Sequence, residues 1–400
     1  MKKNSSTRSE RKATETAKRG KREIWKGSPS ELVTIGLDLG DRVSHYCILN
    51  AQGEIVTRDK VPTTKADLAR KFDVGGGRSR VRIAMEAGTH SPWVSRCLMK
   101  LGHEVMVANP RKVALITGSR RKNDRIDAEK LARLVRLDPK LLSPIVHRAE
   151  QAQEDLAQIR GRHELVRVRT AVINSARGLV KSFGNRLAQC DADQMGPGQA
   201  AELPGGLKSS IEPLLETVAQ LTAQIKAADQ RIHGIAGRYP EIELLTVIYS
   251  VGELTALTFV LTLDNVSRFG KSREVGPYLG LTPGQSQSGE RDPQQRITKE
   301  GDRMVRWMLV QCAHSLLRRG APDSDVRRWG LGKLEQEQKS GQAGKNSLGK
   351  KKVLVAVARR LGVLMHHLLA SGEVYDPLYA AKQQAAQAAA QAKKAARQAA

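Results

Sequence analysis

Four carboxylates and two serines are the residues of this chain whose types and order could do phosphate chemistry. Asp38 closes the apolar run "VTIGLDLG" and Glu86 closes "VRIAME". A charge at the tip of a buried strand costs several kcal/mol unless something pairs with it. Asp124 and Asp127 stand three apart in "NDRIDAEKLARLVRL", so on a helix they share one face. Acids at strand ends and on an adjoining helix can converge, and an all-oxygen cluster suits Mg2+ or Mn2+. Two such ions about 4 Å apart clamp the attacking and leaving oxygens of a phosphodiester in line. Each acid also has a plainer reading. Asp124 and Asp127 resemble an N-cap and an N3 acid at a helix start, Asp38 a turn residue in "DLGD", and Glu86 the partner of a nearby arginine. The set is more specific than its members, because "RKVALITGSRRKNDR" adds Arg120, Arg121, Lys122 and Arg125 as phosphate contacts.

Ser286 and Ser288 lie in "GQSQSGE", ahead of Arg291, Arg296, Lys299, Arg303 and Arg306. Serines in Gly-rich loops are ubiquitous, and alone these two read as ordinary loop residues. A serine hydroxyl is a weak nucleophile at neutral pH and needs a base or metal to take its proton, with cations to hold the developing charge. "VGGGR" at 74–78 leads into a strand rather than a helix, so it is no phosphate-cradling loop. His366 and His367 are adjacent on a helix, cannot both face one metal, and read as rim residues.

Composition narrows the partners. The chain has 400 residues, room for two or three domains. Its 67 basic and 41 acidic residues leave a charge of +26, which draws polyanions and makes nucleic acid the default partner. Aromatics are only 4 %, too few for broad base-stacking platforms. The four cysteines form no CxxC pair and read as small core residues of a reducing cytoplasm. No secretion signal is expected at the basic amino terminus, and no apolar run of membrane-spanning length. The expected location is the cytosol, with no membrane partner.

The elements that must position these residues follow the same pattern. Residues 1–30 are a polar, basic arm expected to be disordered. From 31 to 148 the order is strand, strand, strand, helix, strand, helix, strand, helix, which predicts an α/β domain with a mixed sheet. There "SPWVSRCLMKLG" reads as a helix with Ser91 as N-cap and Gly102 just past its end. Residues 149–238 read as two long amphipathic helices joined by the loop "CDADQMGPGQAAELPGG", an antiparallel hairpin or coiled coil suited to protomer contacts. Residues 239–380 read as mostly α, with "LLTVIYSVGELTALTFVLTL" spaced as a helix-hairpin-helix. Residues 381–400 are a low-complexity Ala/Gln/Lys tail.

The segments "IGLDLG", "AMEAGTHSPW" and "RRKNDRIDAEKLARL" resemble the catalytic motifs of the DEDD insertion-sequence transposases. The later "YLGLTPGQSQSGERDPQQRITKEGDRMVRWML" resembles that family's C-terminal transposase domain. The resemblance implies a RuvC-like, ribonuclease-H-type fold before residue 149. It also implies that Asp38, Glu86, Asp124 and Asp127 hold Mg2+ or Mn2+. It further implies that a serine of the second domain attacks the DNA backbone and stays covalently linked to it. Ser288, directly before Gly289, is the match; the family commonly has two adjacent serines there, and this chain has Gln287 in the first of those places. Some members find donor and target through a structured RNA encoded beside the gene. Cutting and rejoining two duplexes implies a dimer or tetramer. Two other functions stay open: a metal-dependent, structure-specific nuclease such as a junction resolvase, using the acids and water, and a non-catalytic nucleic-acid-binding protein.

Overall fold

The computed structural model describes residues 32–73, 80–117, 124–287, 289, 291, 293, 295–339 and 347–399, with backbone alone at 114–117, 124–125, 347–348, 389–390 and 392–399. The basic arm and "VGGGR" lie outside the described residues. The chain forms two compact units, 1–147 and 148–400.

In the first unit the strands are β1 (Leu32–Asp38), β2 (Val43–Leu49), β3 (Ile55–Pro62), β4 (Arg80–Glu86) and β5 (Glu104–Ala108). Helices α1 (Lys65–Phe72), α2 (Ser91–Lys100), α3 (Pro110–Thr117) and α4 (Asp124–Leu137) connect and follow them. The sheet order is β3-β2-β1-β4-β5. β2 runs antiparallel to β1 and β3, while β1, β4 and β5 are parallel. The centre of β1 is continuously buried, because both faces of the sheet are covered. On one face Ile35, Leu37 and Ile83 pack with Leu68, Phe72, Val94 and Leu98 of α1 and α2. On the other, Cys47, Leu49 and Ala84 meet Ala128, Ala132 and Leu131 of α4.

That second face is built from small residues. A Cβ on Gly36 would stand 1.9 Å from the Ala128 carbonyl oxygen and 2.5 Å from the Ala132 nitrogen, so α4 lies directly on the β1 backbone. Arg136, near the end of α4, donates to the Ala51 carbonyl just beyond β2, beside the amino end of β1. α4 therefore runs antiparallel to β1, and its first turns face the carboxyl end of that strand.

The α/β expectation is met in this unit, with two local differences. Ser91 is the first residue of α2 rather than its cap. His90 holds the cap position, and the Ser91 hydroxyl closes a turn by donating to the Gly88 carbonyl at 2.8 Å. Residues 110–117 form a further helix, α3, that the expected order of elements lacks.

The second unit is helical. Its elements are α5 (Glu150–Ser182), α6 (Gly205–Ala236), α7 (Glu243–Thr246), α8 (Glu253–Leu263), α9 (Val275–Tyr278), α10 (Arg303–Leu316), α11 (Asp325–Lys339), α12 (Ser347–Ser371) and α13 (Tyr379–Ala399). α5 and α6 pack side by side as a hairpin, α5 being about 50 Å long at 1.5 Å per residue. The far end has its own core around Ile173, Val180, Ile211 and Leu215, which the connecting segment joins through Met195, Ala200 and Leu203. That segment is thus packed, not an open loop. Near the middle, buried Arg169 bonds Asp193 and donates to Thr222 Oγ1 at 3.1 Å. The near end, with Leu156, Ile159 and Ile232, belongs to the same core as Phe259, Leu309, Val357 and Leu361.

The expected helix-hairpin-helix is reduced, since its first member, α7, is a single turn. α12 differs more. Over Gly349–Ser371 it is long and apolar enough to cross a membrane by length and composition, contrary to expectation. Half of its apolar window is buried in this unit's core, with Val357, Ala358, Leu361 and Met365 sealed from solvent. His366 is buried too, not a rim residue: its ring nitrogens lie 3.0 Å from Ser272 Oγ and 3.3 Å from the Val266 carbonyl oxygen. Burial pushes its pKa down, so the ring favours the neutral form.

Candidate active site

β1 and β4 are parallel neighbours whose register ends at Leu37 beside Met85. Asp38 and Glu86 are each the next residue, so they emerge side by side at the carboxyl end of the sheet. Side chains alternate along a strand, which puts Asp38 on the face of Gly36 and Glu86 on the face of Ala84. Both are on the α4 side. Both are partly exposed, at the open end of the buried strands. His45 of β2 is the antiparallel partner of Asp38 and flanks it on the other side.

α4 supplies the remaining two acids. Asp124 starts the helix and Asp127 immediately precedes Ala128, the residue seated on Gly36. Asp127 Oδ1 accepts from Lys130 Nζ at 3.2 Å. The Asp124 side chain lies outside the described residues. Among the described residues, no three carboxylate, histidine or cysteine side chains stand close enough together to hold a metal ion. The fold thus brings Asp38 and Glu86 together and aims the amino end of α4 toward them.

The loops after these two strands are tied to each other. Trp93 Nε1–H donates to His90 Nδ1 at 3.1 Å, which leaves the ring proton on Nε2, and Nε2 lies 3.2 Å from Asp41 Oδ1. Asp41 follows Asp38 by three residues and His90 follows Glu86 by four, so this relay pins the two acid-bearing loops together. Neither Asp41, His90 nor His45 was picked out from the sequence. The only signal was their closeness in sequence to the acids.

The serine loop sits on a firm base in the second unit. Pro283 and Ile297 bridge, Gly284 N–H donates to the Arg296 carbonyl at 2.9 Å and Thr298 N–H to Thr282 at 2.9 Å. Below this stem, Gly280 and Gly301 adopt positive φ where a Cβ would strike the backbone at 2.2 and 2.0 Å. Arg306 Nη1 donates to the Leu279 and Glu300 carbonyls at 2.9 and 2.8 Å. Asp302 caps α10 by accepting from the Met304 and Val305 amides, and pairs with Arg160 of α5 at 2.8 Å. Ser286 is exposed above the stem, as is Gly289 with φ +57°. Ser288 lies outside the described residues.

The basic residues divide in the same way. Arg120, Arg121 and Lys122 lie outside the described residues, and so does the side chain of Arg125. Arg291, Arg296, Lys299 and Arg303 are exposed. Arg306 is the exception, since Nη1 holds the loop base together, and burial lowers its pKa. Arg296 and Lys299 border a groove of about 1620 Å³ that also takes cations from α11 and α12.

An α/β unit with paired acids at neighbouring strand ends and a helical unit with a basic groove suit an enzyme that acts on nucleic acid. Comparison with known proteins narrows that class. Residues 35–184 match the DEDD transposase model of IS110 elements, and residues 242–326 match the model described as "Transposase IS116/IS110/IS902 family". This chain belongs to the IS110 family of insertion-sequence transposases. A Pseudomonas aeruginosa protein described as "Probable family 20 transposase" is 25 % identical over 356 residues, covering 86 % of this chain and 99 % of the relative. The transposase for insertion sequence element IS1111A of Coxiella burnetii is 24 % identical over 356 residues, covering 87 % and 92 %. The transposase for IS1328 of Yersinia enterocolitica is 28 % identical over 248 residues, covering 59 % and 71 %.

Proposed function

We propose that this transposase mobilises its own element by phosphodiester exchange that uses Asp38, Glu86, Asp124 and Asp127 of a ribonuclease-H-like, RuvC-like first unit and Ser288 of the second. The observation that carries this reading is the in-register pairing of Asp38 and Glu86 at the carboxyl ends of parallel strands, on the face where α4 begins. Their donors are all carboxylate oxygens, which fit Mg2+ or Mn2+. Such an ion would supply charge stabilisation to the phosphoryl oxygens.

Ser288 Oγ attacks phosphorus and forms a new P–O bond as the strand's own P–O bond breaks. The serine proton leaves to a base and the departing DNA oxygen takes up a proton. In the second step a DNA hydroxyl attacks the serine phosphodiester, reseals the backbone and returns the serine. Energy is conserved in the covalent link, so no external phosphate source is required. The firm stem under the loop supports this role, because a nucleophile must be held to within a fraction of an ångström while its tip stays open to DNA. Donor and target duplexes, a structured guide RNA, and assembly as a dimer or tetramer in the bacterial cytosol complete the proposal.

A junction PCR in cells carrying the gene with its native flanking DNA tests it. The wild type should give circularised element and resealed donor, and Asp38→Ala and Ser288→Ala should each abolish both. Loss with Asp38→Ala alone would make water the nucleophile, as in a nuclease. Wild-type yields from Asp38→Ala would exclude the acids from the chemistry altogether.

A further inference from the structure

The groove in the second unit has a composition that the acids and the serine do not explain. Its rim is basic, with Arg273, Arg296, Lys299, Lys333, Lys352 and Arg359, and one carboxylate, Glu337, among its described lining. None of those six cations forms an ion pair with an acid among the described residues. Elsewhere in the same unit cations are paired, as in Arg160 with Asp302, Arg162 with Asp229 and Arg328 with Asp323. Like charges gathered around a single acid repel one another, and a polyanion relieves that repulsion while releasing its own counterions.

The floor is different from the rim. Leu281, Pro283, Ile297, Val353 and Val363 line it, and Trp329 stands in its wall with the Arg360 guanidinium 4.9 Å from the ring centroid. Gly330 makes this placement possible. A Cβ there would come within 2.7 Å of Leu317 and 2.8 Å of Val357, so α11 closes on the core at the residue after Trp329. The Arg359 stem passes over Gly276 in the same way. A duplex presents phosphates outward and keeps its bases stacked inside, so it gains nothing from an apolar floor. Unpaired nucleotides expose base faces that stack on an aromatic ring or a guanidinium plane, while their phosphates follow cations.

We propose that this groove binds a short single-stranded stretch of nucleic acid, its phosphates along the basic rim and a base against Trp329 and Arg360. The inference deepens the transposase reading, and rests on it only for the choice of polyanion. It is read by binding, so a failed junction assay leaves it standing and a failed binding assay leaves the junction chemistry standing.

The test uses the purified full-length protein and fluorescein-labelled 12-nucleotide probes: single-stranded DNA, single-stranded RNA of the same sequence, and the blunt duplex. Fluorescence anisotropy is recorded between about 50 and 200 mM salt. Lys351→Ala/Lys352→Ala changes two exposed side chains on α12. It should weaken single-strand binding and flatten the slope of log K against log salt by about 1.4, at roughly 0.7 per phosphate contact. Arg360→Ala and Trp329→Ala should each weaken it about tenfold. Duplex affinity should change less than threefold in all three. Lys226→Ala, an exposed control on α6, should change nothing. The response of the RNA relative to the DNA probe assigns the natural strand. Equal losses for duplex and single strand, or groove variants indistinguishable from Lys226→Ala, would overturn the proposal. Because the lysine pair and Arg360 are exposed, a misfolded Trp329→Ala protein would not prevent the decision.

Discussion

Gly36→Ala adds one methyl group, and the structure says where it must go. The new Cβ would lie 1.9 Å from the Ala128 carbonyl oxygen, whereas real Cβ contacts essentially never fall below 3.0 Å. The obstacle is helix backbone, which cannot rotate aside as a side chain can. α4 must therefore retreat from β1 by at least about 1 Å, the residual overlap being felt steeply in a close-packed interior. The expected cost is about 1–3 kcal/mol of overpacking. For a domain of this size that lowers the melting temperature of the first unit by about 4–15 °C. The larger effect is functional. β1 carries Asp38 and α4 carries Asp127, so the retreat moves apart acids that the proposed chemistry uses together. A misplacement of about 1 Å can cost about a hundredfold in rate.

Differential scanning calorimetry and quantitative junction PCR, on the same variant, separate the two effects. The control is Gly161→Ala on α5, where nothing stands within 4 Å of the added Cβ. It should stabilise by about 0.5–1 kcal/mol through helix propensity and leave the junction yield unchanged. A Gly36→Ala protein that melts like the wild type would refute the close-approach argument. One that melts lower yet keeps its junction yield would show that α4 does not position the acids.

Asp155 is buried and accepts from Tyr239 Oη at 2.6 Å and from Arg238 and Gln151. Asp155→Ala leaves the Tyr239 phenol unpaired and removes the buried partner of the half-exposed Arg238 at the hairpin base, and should cost about 1–3 kcal/mol in urea unfolding, against under 1 if the network is ornamental. Asp302→Ala removes the α10 cap and the partner of Arg160, and should cost about 1–3 kcal/mol. Burial pushes the Asp302 carboxyl up, but the Arg160 hydrogen bond, the Val305 amide and the field of Arg148 more than offset it, holding its pKa below the usual range. Its contribution is therefore full above about pH 4, the unfolded value, and is lost as pH falls through the lower folded value. Asp302→Asn should show a shallower acid loss of stability below pH 4 than the wild type. His366 is held neutral, chiefly by burial, whereas the unfolded ring takes up a proton near pH 6.5. Stability should fall as pH drops below about 6.5, and His366→Gln should flatten that decline.

The strand ends and the long hairpin were legible in the sequence for one physical reason: each is a pattern within a single segment. "VTIGLD" and "VRIAME" are apolar runs stopped by a charge, and α5 and α6 repeat apolar positions over some nine turns each. α7 failed that test because one helical turn carries no periodicity, and α3 because its eight residues span barely two turns. The basic groove was invisible for a different reason. Its cations come from residues 273, 296–299, 333 and 351–360, four stretches that no spacing rule connects.

The acids themselves show how far residue type can carry a reading. Carboxylates announce chemistry, so Asp38, Glu86, Asp124 and Asp127 are easy to select and hard to arrange. What arranges them is the absence of side chain. Gly36, Ala84, Ala128 and Ala132 form the seam between α4 and the sheet, and each is fully or almost fully buried. Had these positions been Val or Leu, their side chains would hold the helix off the sheet, and Asp127 on α4 would lie farther from Asp38 and Glu86 at the strand ends. A search for reactive groups passes over such residues, yet the spacing of the acids depends on them as directly as on the acids themselves.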